Sequence, residues 1–235
     1  MKMYYVVNAR LPNKKAYGIQ IAKMCEAFIE AGVDLELVIP RTHAALKTSL
    51  KDFYNLRVDV PIMILPTVDW YARGRVGYYI SATIFASFCF FYLLWERIEG
   101  KRGIFYSIPD TFSLSAALLV GMDCYLEIHE MTLQPPLLKL LRFARGLIAT
   151  NPRIAEPLQL LVSGRPVSNK ILTESNGVDL APYALVPTRD VARDQLGIDN
   201  DKKIALYVGR FYEWKGLSIL SEAAAVTTEL AMTRV

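Results

Sequence analysis

The residues best placed to do chemistry lie in Ala205-Leu-Tyr-Val-Gly-Arg-Phe-Tyr-Glu-Trp-Lys-Gly216. An apolar run leads into Gly209, where the backbone can turn sharply. Arg210 follows, then a short loop, Lys215 and Gly216, and then a segment with a helical pattern. Two cations beside a helix amino terminus make a site for an anion, because they add charge where free N–H groups and the helix dipole already favour it. A loop with two solvated cations has the same composition; the residue types and their spacing favour the phosphate reading. A second candidate is His129, in Leu126-Glu-Ile-His-Glu130 at the end of another apolar run. On residue type alone it is either a hydrogen-bonded structural group or a ligand contact. Asp199-Asn-Asp201 has the D-x-D spacing of a metal site, but it sits in a polar stretch that reads as a solvated turn.

These residues need elements to hold them. Met3–Val7 is a short apolar β-type run, followed by a polar loop, Asn8–Tyr17, that contains Pro12. Ile21, Met24, Cys25, Phe28 and Ile29 then recur at helical spacing up to Gly32, and Leu35–Ile39 forms the next strand before Pro40. Strand, helix, strand in forty residues implies a right-handed parallel crossover. The alternation continues with strands expected at Ile62–Leu65, Ile104–Tyr106, Tyr125–Ile128, Leu147–Ala149 and Ile171–Glu174. Helices are expected at Phe112–Val120, Leu137–Ala144 and Ile154–Val162. The expected fold class is α/β: a doubly wound, Rossmann-like parallel sheet over residues 1–180, a linker at 181–188 with Pro187 inside it, and the first β-α unit of a second Rossmann-like domain at 189–235. That unit comprises a helix at Val191–Leu196, a strand at Ile204–Val208 and a helix from Gly216. Its 47 residues are too few for an independent α/β domain, so the second domain is expected to be incomplete.

Gly209-Arg210 and Lys215-Gly216 after an apolar strand resemble the GR…KG element of family 4 (group 1) glycosyltransferases, which have the GT-B fold. Gly18, in a loop ahead of the first amphipathic helix, is similar to the family's glycine-containing acceptor-side loop. His129 stands just after a strand, where the family has a histidine facing the donor sugar. Ala149-Thr-Asn-Pro and Asn176-Gly-Val-Asp179 resemble further family segments in the same order. The resemblance implies a retaining hexosyltransferase acting from a UDP- or GDP-sugar on a glycan or lipid-linked acceptor, as in polysaccharide biosynthesis. Arg210, Lys215, Gly209 and Gly216 would hold the donor diphosphate, His129 the transferred sugar, and Gly18 a close backbone approach to phosphate or acceptor. The family works without a bound metal, and no cofactor is implied. The family's Glu-x7-Glu element has no counterpart: no two glutamates here are eight positions apart. The chain is therefore expected to be truncated and weakly active or inactive alone. The alternatives are a GT-B nucleotide-sugar epimerase and a membrane-associated fragment that acts as a binding partner.

Composition sets the outer limits. A hydrophobic content of 53% with 21% charged residues excludes disorder, and a formal net charge of +4 is too small to imply nucleic acid. Cys25, Cys89 and Cys124 are isolated and read as buried thiols in a reducing compartment. With His43 and His129 as the whole histidine complement, a zinc cluster is not expected. No two glycines fall in G-x-G spacing, and there is no Walker A loop, GxSxG elbow or HExxH helix. The apolar run Met3–Val7 is too short for an export signal, so a cytoplasmic location is expected. Val76–Trp95 holds twenty residues without a charge, which reads as a helix buried in the domain or lying at a bilayer surface rather than spanning it. Leu137–Arg153, with Lys139, Arg142, Arg145 and Arg153 and no acid, reads as amphipathic, either with a solvated basic face or lying against an anionic bilayer. With the mean hydropathy of +0.24, these segments add peripheral contact at the inner face of the membrane as an expected partner surface.

Overall fold

The computed structural model describes residues 1–43, 48–131, 134–164, 170–180, 183–209 and 211–232. The chain forms two compact units, Met1–Val178 and Asp179–Val235.

In the first unit β1 (Lys2–Val6), α1 (Ala16–Glu30), β2 (Leu35–Pro40), α2 (Leu50–Tyr54) and β3 (Ile62–Leu65) wind outward in one direction. A long helix, α3 (Gly74–Ile98), then returns the chain to the middle of the sheet. From there β4 (Gly103–Ser107), α4 (Thr111–Val120), β5 (Asp123–Ile128), α5 (Pro135–Leu141), β6 (Gly146–Ala149), α6 (Pro152–Leu161) and β7 (Ile171–Thr173) wind the other way. All seven strands are parallel, in the order β3-β2-β1-β4-β5-β6-β7. The winding reverses between β1 and β4, and the crevice outside their carboxyl ends is where open α/β sheets bind ligands.

Both faces of the sheet are covered, so the central strands are apolar on both sides. Tyr4 and Val6 point into a core with Phe85, Cys89 and Leu93 of α3, Leu114 of α4, Leu141 of α5 and Leu158 of α6. Met3, Tyr5 and Val7, one residue out of phase, point into a second core with Ile21 and Cys25 of α1 and Tyr54 of α2. The period of two divides β1 cleanly between them. Gly103 opens β4 because a Cβ there would lie 2.4 Å from the Tyr4 ring. The Tyr4 hydroxyl in turn donates to Glu96 Oε2 of α3 at 2.7 Å, which ties the return helix to the central strand.

Two expectations change. Ser49 accepts from the Lys51 N–H and starts α2, a five-residue helix too short to show a periodicity. In the second unit, α7 (Arg189–Leu196), a 3₁₀ turn at Glu213–Lys215 and α8 (Leu217–Met232) form, but the expected strand Ile204–Val208 does not. Among the described residues no neighbouring strand pairs with it, and an apolar run without a ladder partner leaves its backbone groups to water. Leu206 and Val208 are accordingly exposed.

Candidate functional site

The carboxyl end of β5 carries a buried ionic network. In a strand, residues two apart share a face, so Glu127 and His129 both look toward the α1 side of the sheet. The Glu127 carboxylate is almost wholly buried, and three groups serve it. His129 Nε2 lies 2.8 Å from Oε1. The Gln20 amide of α1 donates to the same oxygen at 2.9 Å, and the Tyr106 hydroxyl of β4 donates to Oε2 at 2.5 Å. The Gln20 amide also donates to Asn176 Oδ1, just beyond β7, at 3.0 Å. Tyr106 is itself fixed by edge-to-face contacts with Tyr5 and Phe28 at centroid distances of 4.9 and 5.4 Å.

The electrostatics follow from this packing. Burial alone would raise the Glu127 carboxyl. The hydrogen bonds from His129, Tyr106 and Gln20 outweigh it and hold the group below the usual carboxylate range. Burial and the Glu127 charge together push the Tyr5 and Tyr106 hydroxyls well above the ordinary tyrosine value, so both stay protonated. The short contact at Oε1 places a ring proton on His129 Nε2. Among the described residues Nδ1 has no hydrogen-bond partner, so it is the ring atom presented to a ligand. A histidine held in this way can donate to or accept from a substrate hydroxyl without losing its orientation.

A second polar group lies at the switch point itself. Asn8, after β1, accepts through Oδ1 from the Tyr71 hydroxyl at 2.7 Å. Asp110, after β4, caps α4 by accepting at Oδ1 from the N–H groups of Phe112 and Ser113 at 3.0 Å each. Asn8 Nδ2, Ser113 Oγ and Asp110 Oδ2 are all buried here, and the Asn8 and Ser113 side chains both favour the Asp110 charge. Burial pushes the Asp110 carboxyl above the usual carboxylate range despite its two cap bonds and the Ser113 and Asn8 side chains beside it. Arg10 Nη2 pairs with Asp69 Oδ1 at 2.8 Å beside this group.

The residues named from the sequence distribute as follows. His129 is at the site. Gly18 lies inside α1 rather than in a loop ahead of it, because the helix begins at Ala16. A Cβ on Gly18 would meet the Tyr54 hydroxyl at 2.5 Å and Asn13 Oδ1 at 2.9 Å, so close packing already demands glycine. Arg210 lies outside the described residues. Gly209, Lys215 and Gly216 belong to the second unit. There Gly216 takes the left-handed conformation (φ 68°) between the 3₁₀ turn and α8, and Lys215 Nζ sits 4.2 Å over the Trp214 ring. Asp199 bonds Lys202 and lies in an exposed turn, as a solvated D-x-D would. Among the described residues no three His, Cys, Asp or Glu side chains converge as a metal site needs. Sequence reasoning missed Glu127, Tyr106 and Gln20. The one local signal was a carboxylate inside the apolar run Tyr125–Ile128.

No family model matches the sequence, and no curated protein matches it by sequence. Solved structures do share its fold. One, from Listeria monocytogenes and assigned as a UDP-N-acetylglucosamine 2-epimerase, is 11% identical with a TM-score of 0.51, over 72% of this chain and 44% of that one. A second is a UDP-glucosyltransferase from Polygonum tinctorium that glucosylates indoxyl. It is 12% identical with a TM-score of 0.51, over 82% of this chain and 56% of that one. A third, UGT2 from Phytolacca americana in complex with UDP-2-fluoroglucose and pterostilbene, is 13% identical with a TM-score of 0.50 over the same shares, 82% and 56%. At such identities the likeness is one of fold: α/β, Rossmann-like and doubly wound, as the alternation of strands and helices predicts, and of GT-B type, as the family resemblance implies. The chain spans about half the length of these structures.

Proposed function

We propose that this chain carries the acceptor-side part, and the start of the donor side, of a GT-B glycosyltransferase. Such an enzyme moves a hexose-type sugar from a nucleotide-diphosphate sugar to a glycan or lipid-linked acceptor, with retention at the anomeric carbon, and this chain alone is weakly active or inactive. The observation that carries this reading is the buried Glu127–His129 pair at the carboxyl edge of a Rossmann-like sheet, beside the switch point. The fold likeness to a UDP-glucosyltransferase and to UGT2 in complex with UDP-2-fluoroglucose supports it. In this reaction the bond from the anomeric carbon to the diphosphate breaks as the acceptor oxygen bonds to the same carbon. Glu127 holds the His129 ring so that Nδ1 meets a hydroxyl of the sugar. Arg210 and Lys215 neutralise the departing diphosphate, which is where charge develops.

The test is calorimetric titration of the chain with UDP and with GDP, alongside Arg210→Ala. We expect saturable binding to one nucleotide, weakened about tenfold or more by the substitution, the loss of one charge-assisted contact. Absence of binding to either nucleotide overturns the donor assignment. The fold likeness to the epimerase structure favours one second reading. Interconversion of UDP-N-acetylglucosamine and its 2-epimer with no acceptor present would establish epimerisation in place of transfer.

A further inference from the structure

The outward face of α3 is unlike that of a surface helix in a water-facing domain. Such a helix turns charged residues outward. Here Tyr79, Phe88, Phe91, Trp95 and Ile98 face out, with Phe91 and Trp95 exposed to 64% and 58% of their surface. The inward face is fully engaged: Phe85, Cys89 and Leu93 fill the core, and Glu96 accepts from Tyr4 and pairs with Lys101 at 2.7 Å. Gly77 packs so closely that a Cβ would lie 2.4 Å from the Trp70 carbonyl oxygen. Length and hydropathy would let this helix of 25 residues cross a bilayer. Crossing would strip the sheet of that core and drag Glu96 into lipid, a cost the apolar outer face does not offset. The helix can present its outer stripe to lipid only by lying flat.

The neighbouring helices extend the same surface. α4 packs against α3, and α5 against α4, on the same side of the sheet. Between α4 and α5 is an apolar groove of about 430 Å³ lined by Ser115, Leu118, Leu119, Leu140 and Phe143. Leu119 and Phe143 are exposed to 78% and 65%. Cations stand at the ends of these helices: Arg73 just before α3 and Arg75 in its first turn, Lys139 on α5 and Arg142 just after it, all exposed. An apolar, aromatic-rich face with a basic border complements an anionic lipid surface, where rings enter the headgroup–acyl boundary and cations meet phosphate.

We infer that the α3–α4–α5 face docks the protein on an anionic bilayer, with Phe91 and Trp95 as the inserted anchors. This inference stands apart from the sugar-transfer reading and rests on different residues.

The test is co-sedimentation of the full chain with vesicles of phosphatidylcholine alone and of phosphatidylcholine with about a third phosphatidylglycerol. Binding is expected to the second and to fall steeply with added salt. F91S/W95S should lower the partition coefficient by about a hundredfold, from the apolar area withdrawn. R75E/R142E, which leaves the apolar stripe intact, should lower it by at least about tenfold. In a W70F/W214F background the remaining Trp95 emission should shift to the blue and be quenched by brominated lipid. Failure to bind anionic vesicles overturns the inference. So does binding that survives F91S/W95S, or that leaves Trp95 unquenched. A dimer in light scattering that F91S/W95S converts to a monomer, without vesicle binding, would mean instead that this face joins two copies of the chain.

Discussion

Replacing Glu127 with glutamine keeps the shape of the side chain and removes its charge. In the native site three donors converge on that carboxylate: His129 Nε2 at 2.8 Å, the Gln20 amide at 2.9 Å and the Tyr106 hydroxyl at 2.5 Å. The glutamine oxygen can serve the donors at one position only; with it facing His129 and Gln20, the NH₂ faces the Tyr106 hydroxyl, which must turn its proton away to accept. Each charge-assisted bond is worth about 1.5–3 kcal/mol against about 1 for a neutral one. Two of them reduced to neutral bonds and the third reversed in direction amount to about 2–4 kcal/mol of stability. The pH dependence carries the sign. Because the folded carboxyl sits below its unfolded value, the native state binds fewer protons across that interval. The contribution of Glu127 is thus fully present above the unfolded glutamate value of about 4.3 and disappears as pH falls through the lower folded value. Urea unfolding of wild type and E127Q, followed by circular dichroism over a pH series, should show a gap of this size at neutral pH that closes in acid. Equal midpoints at neutral pH, or a gap that widens in acid, would refute the network as described.

Three further outcomes are expected. Gly18→Ala should cost about 1–3 kcal/mol because its Cβ meets the Tyr54 hydroxyl; it should cost less in a Tyr54→Phe background, and an unchanged melting curve for the single variant would show that packing does not hold this glycine. Asp110→Asn retains the α4 cap, since asparagine caps as well as aspartate. Because burial raises the folded Asp110 carboxyl, its charge is a liability that sets in as pH rises above the unfolded aspartate value and is complete above the folded one, so D110N should match or exceed wild-type stability at pH 7 by calorimetry. A loss of more than about 1 kcal/mol would mean that the Asn8 and Ser113 side chains favour the charge by more than burial disfavours it. Burial pushes the Cys25 and Cys124 thiols up to about 12 and Cys89 higher still. A disulfide thiol reagent at pH 8 should therefore label none of the three in the native protein and all three in guanidinium, and rapid native labelling would contradict their burial.

Where local pattern and long-range packing agree, the sequence was sufficient. β1, α1 and β2 were legible because an apolar run, a helical stripe and a second apolar run meet in forty residues. α3 was legible as a helix because no charge interrupts Val76–Trp95. The start of α1 was not, since no side chain caps it and the polar residues before Tyr17 read as loop; that is why Gly18 was assigned to the loop. Ile204–Val208 shows the opposite failure, a strand composition with no ladder to complete it. The site failed on range. A glutamate inside a strand reads locally as a residue on the solvent side, and only the sheet register turns Glu127 toward α1. Its partners Gln20 and Tyr106 stand 107 and 21 residues away, beyond any local periodicity. The spacing of Glu127 and His129 does carry the decisive information once β5 is known to be a strand. Two residues apart, they lie on one face and can bond; on a helix the same pair would point to nearly opposite sides. The chemistry proposed for His129 therefore depends on the secondary structure of six residues. A proline in place of Leu126, which would break the β5 ladder without touching either side chain, should abolish the pair's coupling as completely as removing Glu127 itself.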